Sequence, residues 1–92
     1  MKHSPKNIVF HELIGLRVKI LKHYDQSLVG IEGIIIDETK YTLKIRVDNK
    51  IKTILKKGAL LLFKLSDKVK VLVNGEQILG RPEERLKSIK WR

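Results

Sequence analysis

The stretch YTLKIRVDNKIKTIL, Tyr41 to Leu55, decides how this chain folds. Tyr41, Leu43, Ile45 and Val47 alternate with Thr42, Lys44, Arg46 and Asp48, the period of a strand with one buried face. Asp48-Asn49 reads as a tight turn, after which Ile51, Thr53 and Leu55 alternate with Lys50, Lys52 and Lys56. The expectation is an antiparallel hairpin whose outer surface carries Lys44, Arg46, Lys50 and Lys52 together.

The same period continues on both sides. Leu16, Val18 and Ile20 alternate with Arg17 and Lys19 in a first strand. Leu28 to Ile36 is isoleucine-rich and contains Gly30 and Gly33, read as bend-permitting positions within a second strand. Asp37-Glu38-Thr39-Lys40 then forms a turn, where an aspartate can accept backbone N–H bonds. Leu60 to Leu65 predicts an apolar strand broken by Ser66-Asp67, and Val69, Val71 and Val73 predict another. Asn74-Gly75 reads as a hairpin turn returning through Glu76 to Leu79. At the ends, Asn7 to Leu13 predicts a short helix with Asn7 as its cap. Gly80-Arg81-Pro82-Glu83-Glu84 starts a second helix, with proline at its first position and acids at its positive pole.

About six short antiparallel strands with close turns are most economically arranged as a barrel that closes on itself and leaves no edge. The fold expectation is therefore all-β: a six-stranded antiparallel barrel over 15–80, flanked by helical segments at 1–14 and 81–92. With 92 residues the chain makes one domain and a thin core.

Lysine and arginine number 20 against 10 aspartates and glutamates, a net charge of +10. Surface lysines of heat-stable proteins usually come with matching glutamates, and here the acids do not keep pace. A polyanion is the expected partner, and nucleic acid the commonest one. No cysteine is present, which excludes disulfides, thiolate zinc sites and cysteine nucleophiles and fits a reducing cytoplasm. The longest apolar run, Ala59 to Phe63, is far short of the ~20 residues of a membrane helix, and no membrane role is expected.

The candidate nucleic-acid-binding residues, RNA-binding under the resemblance given below, are Arg17, Lys19, Lys44, Arg46, Lys50, Lys52, Lys56, Lys57, Lys68 and Lys70. Arg81, Arg85, Lys87, Lys90 and Arg92 extend the set at the C-terminal end. For any one lysine a solvated sheet face is explanation enough; for the set, phosphate contact is favoured. With five aromatic residues in the chain (two Tyr, two Phe, one Trp), base stacking cannot dominate, and shape and phosphate recognition should. Tyr24 and Trp91 are the stacking candidates. Asp37 and Glu38 share one turn while Asp48 and Asp67 fall in two others, and His3, His11 and His23 lack ligand spacing, so neither intrinsic catalysis nor a metal site is expected. The apolar side of Ile8, Val9, Phe10 and Leu13 is either a lid on the core or a partner interface, and Leu28 and Val29 offer an apolar patch beside it; the family resemblance given next favours docking to a partner protein.

The runs HELIGLRVKI at His11–Ile20, LVGIEGIIIDETKYTLKI at Leu28–Ile45 and ILGRPEERLK at Ile78–Lys87 closely resemble archaeal ribonuclease P protein component 1, the relative of the eukaryotic Pop4 subunit. The likeness spans about Asn7 to Lys87 in order. It implies an Sm-like six-stranded barrel with terminal helices, in a protein subunit of the ribonucleoprotein that removes the 5′ leader of precursor tRNA. It also implies that the RNA subunit, with its Mg2+, holds the catalytic centre and that this chain binds no cofactor. The implied partners are the specificity domain of ribonuclease P RNA, the zinc-binding ribonuclease P protein component 4, other ribonuclease P proteins and, indirectly, precursor tRNA. A ribosomal or translation-associated small barrel, an Sm-like homo-oligomeric ring and a stand-alone nuclease are the alternatives that the residues leave open.

Overall fold

A computed structural model of the chain describes residues 13–80. Six strands follow one another: β1 (Arg17–Lys22), β2 (Glu32–Glu38), β3 (Thr42–Val47), β4 (Lys50–Leu55), β5 (Leu60–Lys64) and β6 (Lys70–Asn74). Single 3-10 turns, Gln26–Leu28 and Gly75–Ile78, follow β1 and β6. The expected terminal helices, with Ile8, Val9 and Phe10, lie outside the described residues, as do Arg81, Arg85 and Trp91.

All six strands form one antiparallel sheet in the order β4-β3-β2-β1-β5-β6. The expected all-β, antiparallel, six-stranded architecture is present; the expected closure is not. Among the described residues β4 and β6 remain edges, and no ladder joins them. The sheet curls far enough that its two ends touch at one point. There Gly75, just past β6, packs directly on the backbone of Lys56, just past β4. The reason the ladder stays open is that both chains leave the sheet at this point, β4 into the Lys56–Gly58 turn and β6 into its 3-10 turn.

Curvature comes from bulges at Leu21 in β1 and Ile36 in β2, where pairing skips a residue, and from Gly33. A Cβ on Gly33 would press on the carbonyl of Arg46 and stand 2.6 Å from Ile45 Cγ2, so β2 and β3 approach too closely for a side chain. Gly30 is not within the strand as expected: it sits in the turn before β2 at φ +89°, a conformation that favours glycine.

Inside the curl lies one core, in which Val18, Ile20, Ile35, Leu43, Ile45, Leu61 and Phe63 are fully buried. The alternations read for β1 and β3 are realised: Val18, Ile20, Leu43 and Ile45 are buried while Arg17, Lys19, Lys44 and Arg46 are exposed. Asp48-Asn49 makes the expected two-residue turn, with Asp48 at φ 54°.

Two further expectations are corrected. The Asn74-Gly75 pair is no hairpin: Asn74 holds extended geometry (φ −76°, ψ 139°), whereas a two-residue hairpin turn of this sequence requires positive φ. Residues expected to return as a strand instead form the 3-10 turn, and Ile78 drops into the core. The second correction is the face of β4. Ile51 and Leu55 are exposed, at 61% and 54%, and Ile54 is buried at 1%. The apolar and basic rows of β4 are thus exchanged relative to the sequence reading.

Candidate nucleic-acid interface

Residues directly opposite one another in antiparallel strands share a face of the sheet. In the observed pairing, this places the candidate cations that lie on the strands. Lys70 pairs with Lys64, Lys64 with Arg17, Arg17 with Ile34, Ile34 with Arg46 and Arg46 with Ile51. One cross-strand row on the convex face thus runs Lys70–Lys64–Arg17–Ile34–Arg46–Ile51 through all six strands. Neighbouring strands lie ~4.8 Å apart, so the first three cations fall within about 10 Å of strand spacing. The adjoining row holds Lys19 opposite Leu62 and Glu32, with Leu72 beyond.

Among the described residues little neutralises this cluster. Arg17 makes a 3.5 Å contact with Glu32, both side chains about half exposed, and Lys64 stands 3.8 Å from a fully exposed Asp67. Exposed pairs of this kind are worth about 0–1 kcal/mol and exchange readily with a competing anion. Arg17, Lys19, Glu32, Leu62, Lys64 and Lys70 line a shallow open depression on this face. Exposed Lys68 sits in the turn beside it, which Ser66 shapes by accepting the N–H groups of Lys68 (3.3 Å) and Val69 (3.2 Å). The cluster can neutralise a run of phosphates on one side of a duplex or folded strand.

The other candidates disperse. Lys44 lies on the convex face, but between Asp37 and Thr53 rather than among cations. Lys50 pairs with Val47 and Lys52 with Ile45, so both project from the concave face and do not join Lys44 and Arg46 as expected. Lys57 is exposed in the turn after β4. Lys56 is removed from the set altogether: it is fully buried, with Nζ 2.6 Å from Glu38 Oε2 and donating to the carbonyls of Gly80 (2.9 Å) and Lys40 (3.4 Å). The docking candidates divide likewise. Leu13 (0% exposed) and Leu28 (9%) belong to the core, leaving Val29 exposed among its described members.

Lys64 was not among the sequence candidates, because it ends an apolar run. Its signal was parity: with Leu61 and Phe63 inward, Lys64 must point outward. Asp37 and Glu38, expected in a turn, instead end β2, and nothing local in the sequence identifies Glu38 as the partner of a buried lysine. Among the described residues no three His, Asp or Glu side chains converge as a metal site, and no helix is long and apolar enough to cross a membrane.

Residues 6–88 match the family model described as Ribonuclease P/MRP, subunit p29. The chain belongs to the ribonuclease P/MRP subunit p29 family. Ribonuclease P protein component 1 of Staphylothermus marinus is 50% identical over 90 residues, covering 97% of this chain and 98% of the relative. The component 1 protein of Pyrococcus furiosus is 45% identical over 89 residues, covering 97% of this chain and 69% of the relative. Among solved structures, that of Mth11, a homologue of human RNase P protein Rpp29, superposes with a TM-score of 0.61 at 38% identity, covering 82% of this chain and 97% of the other. Membership of the p29 family accords with the three sequence runs quoted above.

Proposed function

We propose that this chain is a non-catalytic protein subunit of archaeal ribonuclease P that holds the folded catalytic RNA through the Arg17–Lys64–Lys70 face. The observation that carries this reading is the juxtaposition of those three cations on adjacent strands of a p29-family chain with net charge +10. On this reading the curled sheet is the family's Sm-like barrel, and the protein works in the cytoplasm. Cleavage of the precursor tRNA 5′ leader belongs to the RNA subunit and its Mg2+.

The physical role is charge neutralisation with fixed spacing. Folded RNA brings phosphates together that repel one another, and a rigid row of cations lowers that cost where helices pack. The specificity domain of the RNA is the proposed ligand, and the zinc-binding component 4, with other ribonuclease P proteins, the proposed neighbours. Val29, 39% exposed, is the described residue of the expected docking surface still available to such a neighbour.

Reconstitution tests this directly. Ribonuclease P RNA, the other protein subunits and this chain should process precursor tRNA more efficiently than the same mixture lacking it. The purified chain with Mg2+ alone should leave precursor tRNA uncut. Cleavage by the chain alone, or no binding to ribonuclease P RNA at low salt, would overturn the reading.

A further inference from the structure

The end of the curl remote from the basic row carries an aromatic side chain that the core does not use. Tyr24 follows β1 with 75% of its surface exposed. Single exposed apolar residues are ordinary. This one differs in being fixed from both sides.

Its root is anchored by His23, which is buried (8% exposed), its Nδ1 accepting the N–H of Asp25 (3.0 Å). The proton then sits on Nε2, which donates to the carbonyl of Leu55 (3.1 Å). On the far side of Tyr24, Asp25 accepts from both the N–H (3.0 Å) and the hydroxyl (2.7 Å) of Ser27. Its floor is Gly58: a Cβ there would strike the ring, 2.6 Å from Cδ2 and 2.8 Å from Cζ, and φ is +79°. Gly58 is itself held, its N–H donating to Glu76 Oε1 at 2.7 Å. The ring therefore rests on a backbone surface, between two hydrogen-bonded anchors, with most of its area facing solvent. It borders a shallow depression shared with Lys22, Gln26 and Val29, and exposed Lys57 precedes the glycine floor.

A pre-positioned aromatic face, with Lys22 lining the same depression and exposed Lys57 next to its glycine floor, suits one ligand chemistry: an unpaired nucleobase with its adjoining phosphates. We propose that Tyr24 on its Gly58 floor is a stacking site for a single unstacked RNA base, with Lys22 and Lys57 meeting the phosphates on either side. This deepens the RNA-binding reading and rests on it. Arg17 and Lys22 are five residues apart along β1, about 17 Å, so the site reads a different part of the RNA from the basic row.

The test uses the full chain and two hairpin RNAs with one stem, the first fully paired, the second with a single bulged 2-aminopurine. The wild-type chain is expected to bind the bulged hairpin more tightly and to change its 2-aminopurine fluorescence. Stacking on one base is worth ~1–3 kcal/mol, a preference of about 5- to 150-fold. Tyr24→Ala and Tyr24→Leu should lose that preference and the fluorescence change while keeping their affinity for the paired hairpin. Leu keeps packing on Gly58 without an aromatic face, so loss in both variants at unchanged melting temperature isolates stacking from folding. Tyr24→Phe should retain the preference. Wild-type binding of both hairpins without preference, or a preference that survives Tyr24→Ala, overturns the stacking site and leaves the basic row intact. Wild-type binding of neither hairpin overturns the RNA reading and this site with it.

Discussion

The ammonium of Lys56 lies 2.6 Å from the carboxylate of Glu38, and the two side chains are 0% and 1% exposed. These residues are 18 apart in sequence, one just past β4 and one at the end of β2. Lys56 also donates to the carbonyl of Gly80, and Gly80 donates its N–H to the carbonyl of Lys40 at 2.8 Å. The pair thus ties together the β2–β3 turn, the end of β4 and the chain after the last 3-10 turn.

Breaking one side of such a pair leaves an uncompensated buried charge. Lys56→Met is expected to destabilise the fold by about 3–5 kcal/mol, and Glu38→Leu similarly. The double variant should recover most of the loss, since two apolar groups satisfy one another where one charge cannot. Urea unfolding of the four proteins checks this; equal stability of Lys56→Met and wild type would mean that the lysine is solvated.

The convex row makes a claim about which cations matter. Arg17→Ala with Lys64→Ala and Lys70→Ala should weaken binding to ribonuclease P RNA and leave the melting temperature nearly unchanged. If each cation meets one phosphate, the slope of log affinity against log salt should become shallower by roughly 2–3 units. Lys50→Ala with Lys52→Ala, on the other face, should change both quantities far less. The reverse ranking would place the RNA on the concave side of β4.

The glycines should differ in rank for steric reasons. At Gly75 and Gly33 an added Cβ meets neighbouring backbone that cannot rotate away. Gly33→Ala should cost about 1–3 kcal/mol by overpacking, and Gly75→Ala at least as much. Around Gly30 the space is open and only its φ of +89° resists, so Gly30→Ala should cost about 1–2 kcal/mol. Chemical denaturation orders the three.

Two exposed carboxylates predict the response to acid. Hydrogen bonds from the Ser27 hydroxyl and N–H hold Asp25 below its ordinary value of 3.8, and the N–H of Gly58 holds Glu76 below 4.5. A depressed folded value means stability that is present above the unfolded value and lost as pH falls through the folded one. The urea midpoint should therefore decline from about pH 4.5 downward, and less steeply in Asp25→Asn with Glu76→Gln. An unchanged slope in that variant would assign the acid response elsewhere.

Local pattern settled β1, β3 and the Asp48-Asn49 turn, because alternation and turn chemistry act between near neighbours. The face of β4 was legible too, though not from its own alternation, which offers Ile51 and Leu55 on one side and Ile54 on the other. A two-residue turn pairs Val47 with Lys50 and therefore Arg46 with Ile51. Once Leu43 and Ile45 point inward, Arg46 and Ile51 must point outward.

By itself the sequence determined the strand content, the excess of cations and, through three runs of residues, the family. Only the tertiary structure decided which cations act together and which is spent inside. Lys64 joins Arg17 because β1 pairs with β5 across 47 positions of chain, and Lys56 meets Glu38 because the sheet curls back on itself. Periodicity reports which way a side chain points relative to its own strand. What it meets there is set by pairings distant in sequence, whose cost in chain entropy is repaid only when the whole core forms.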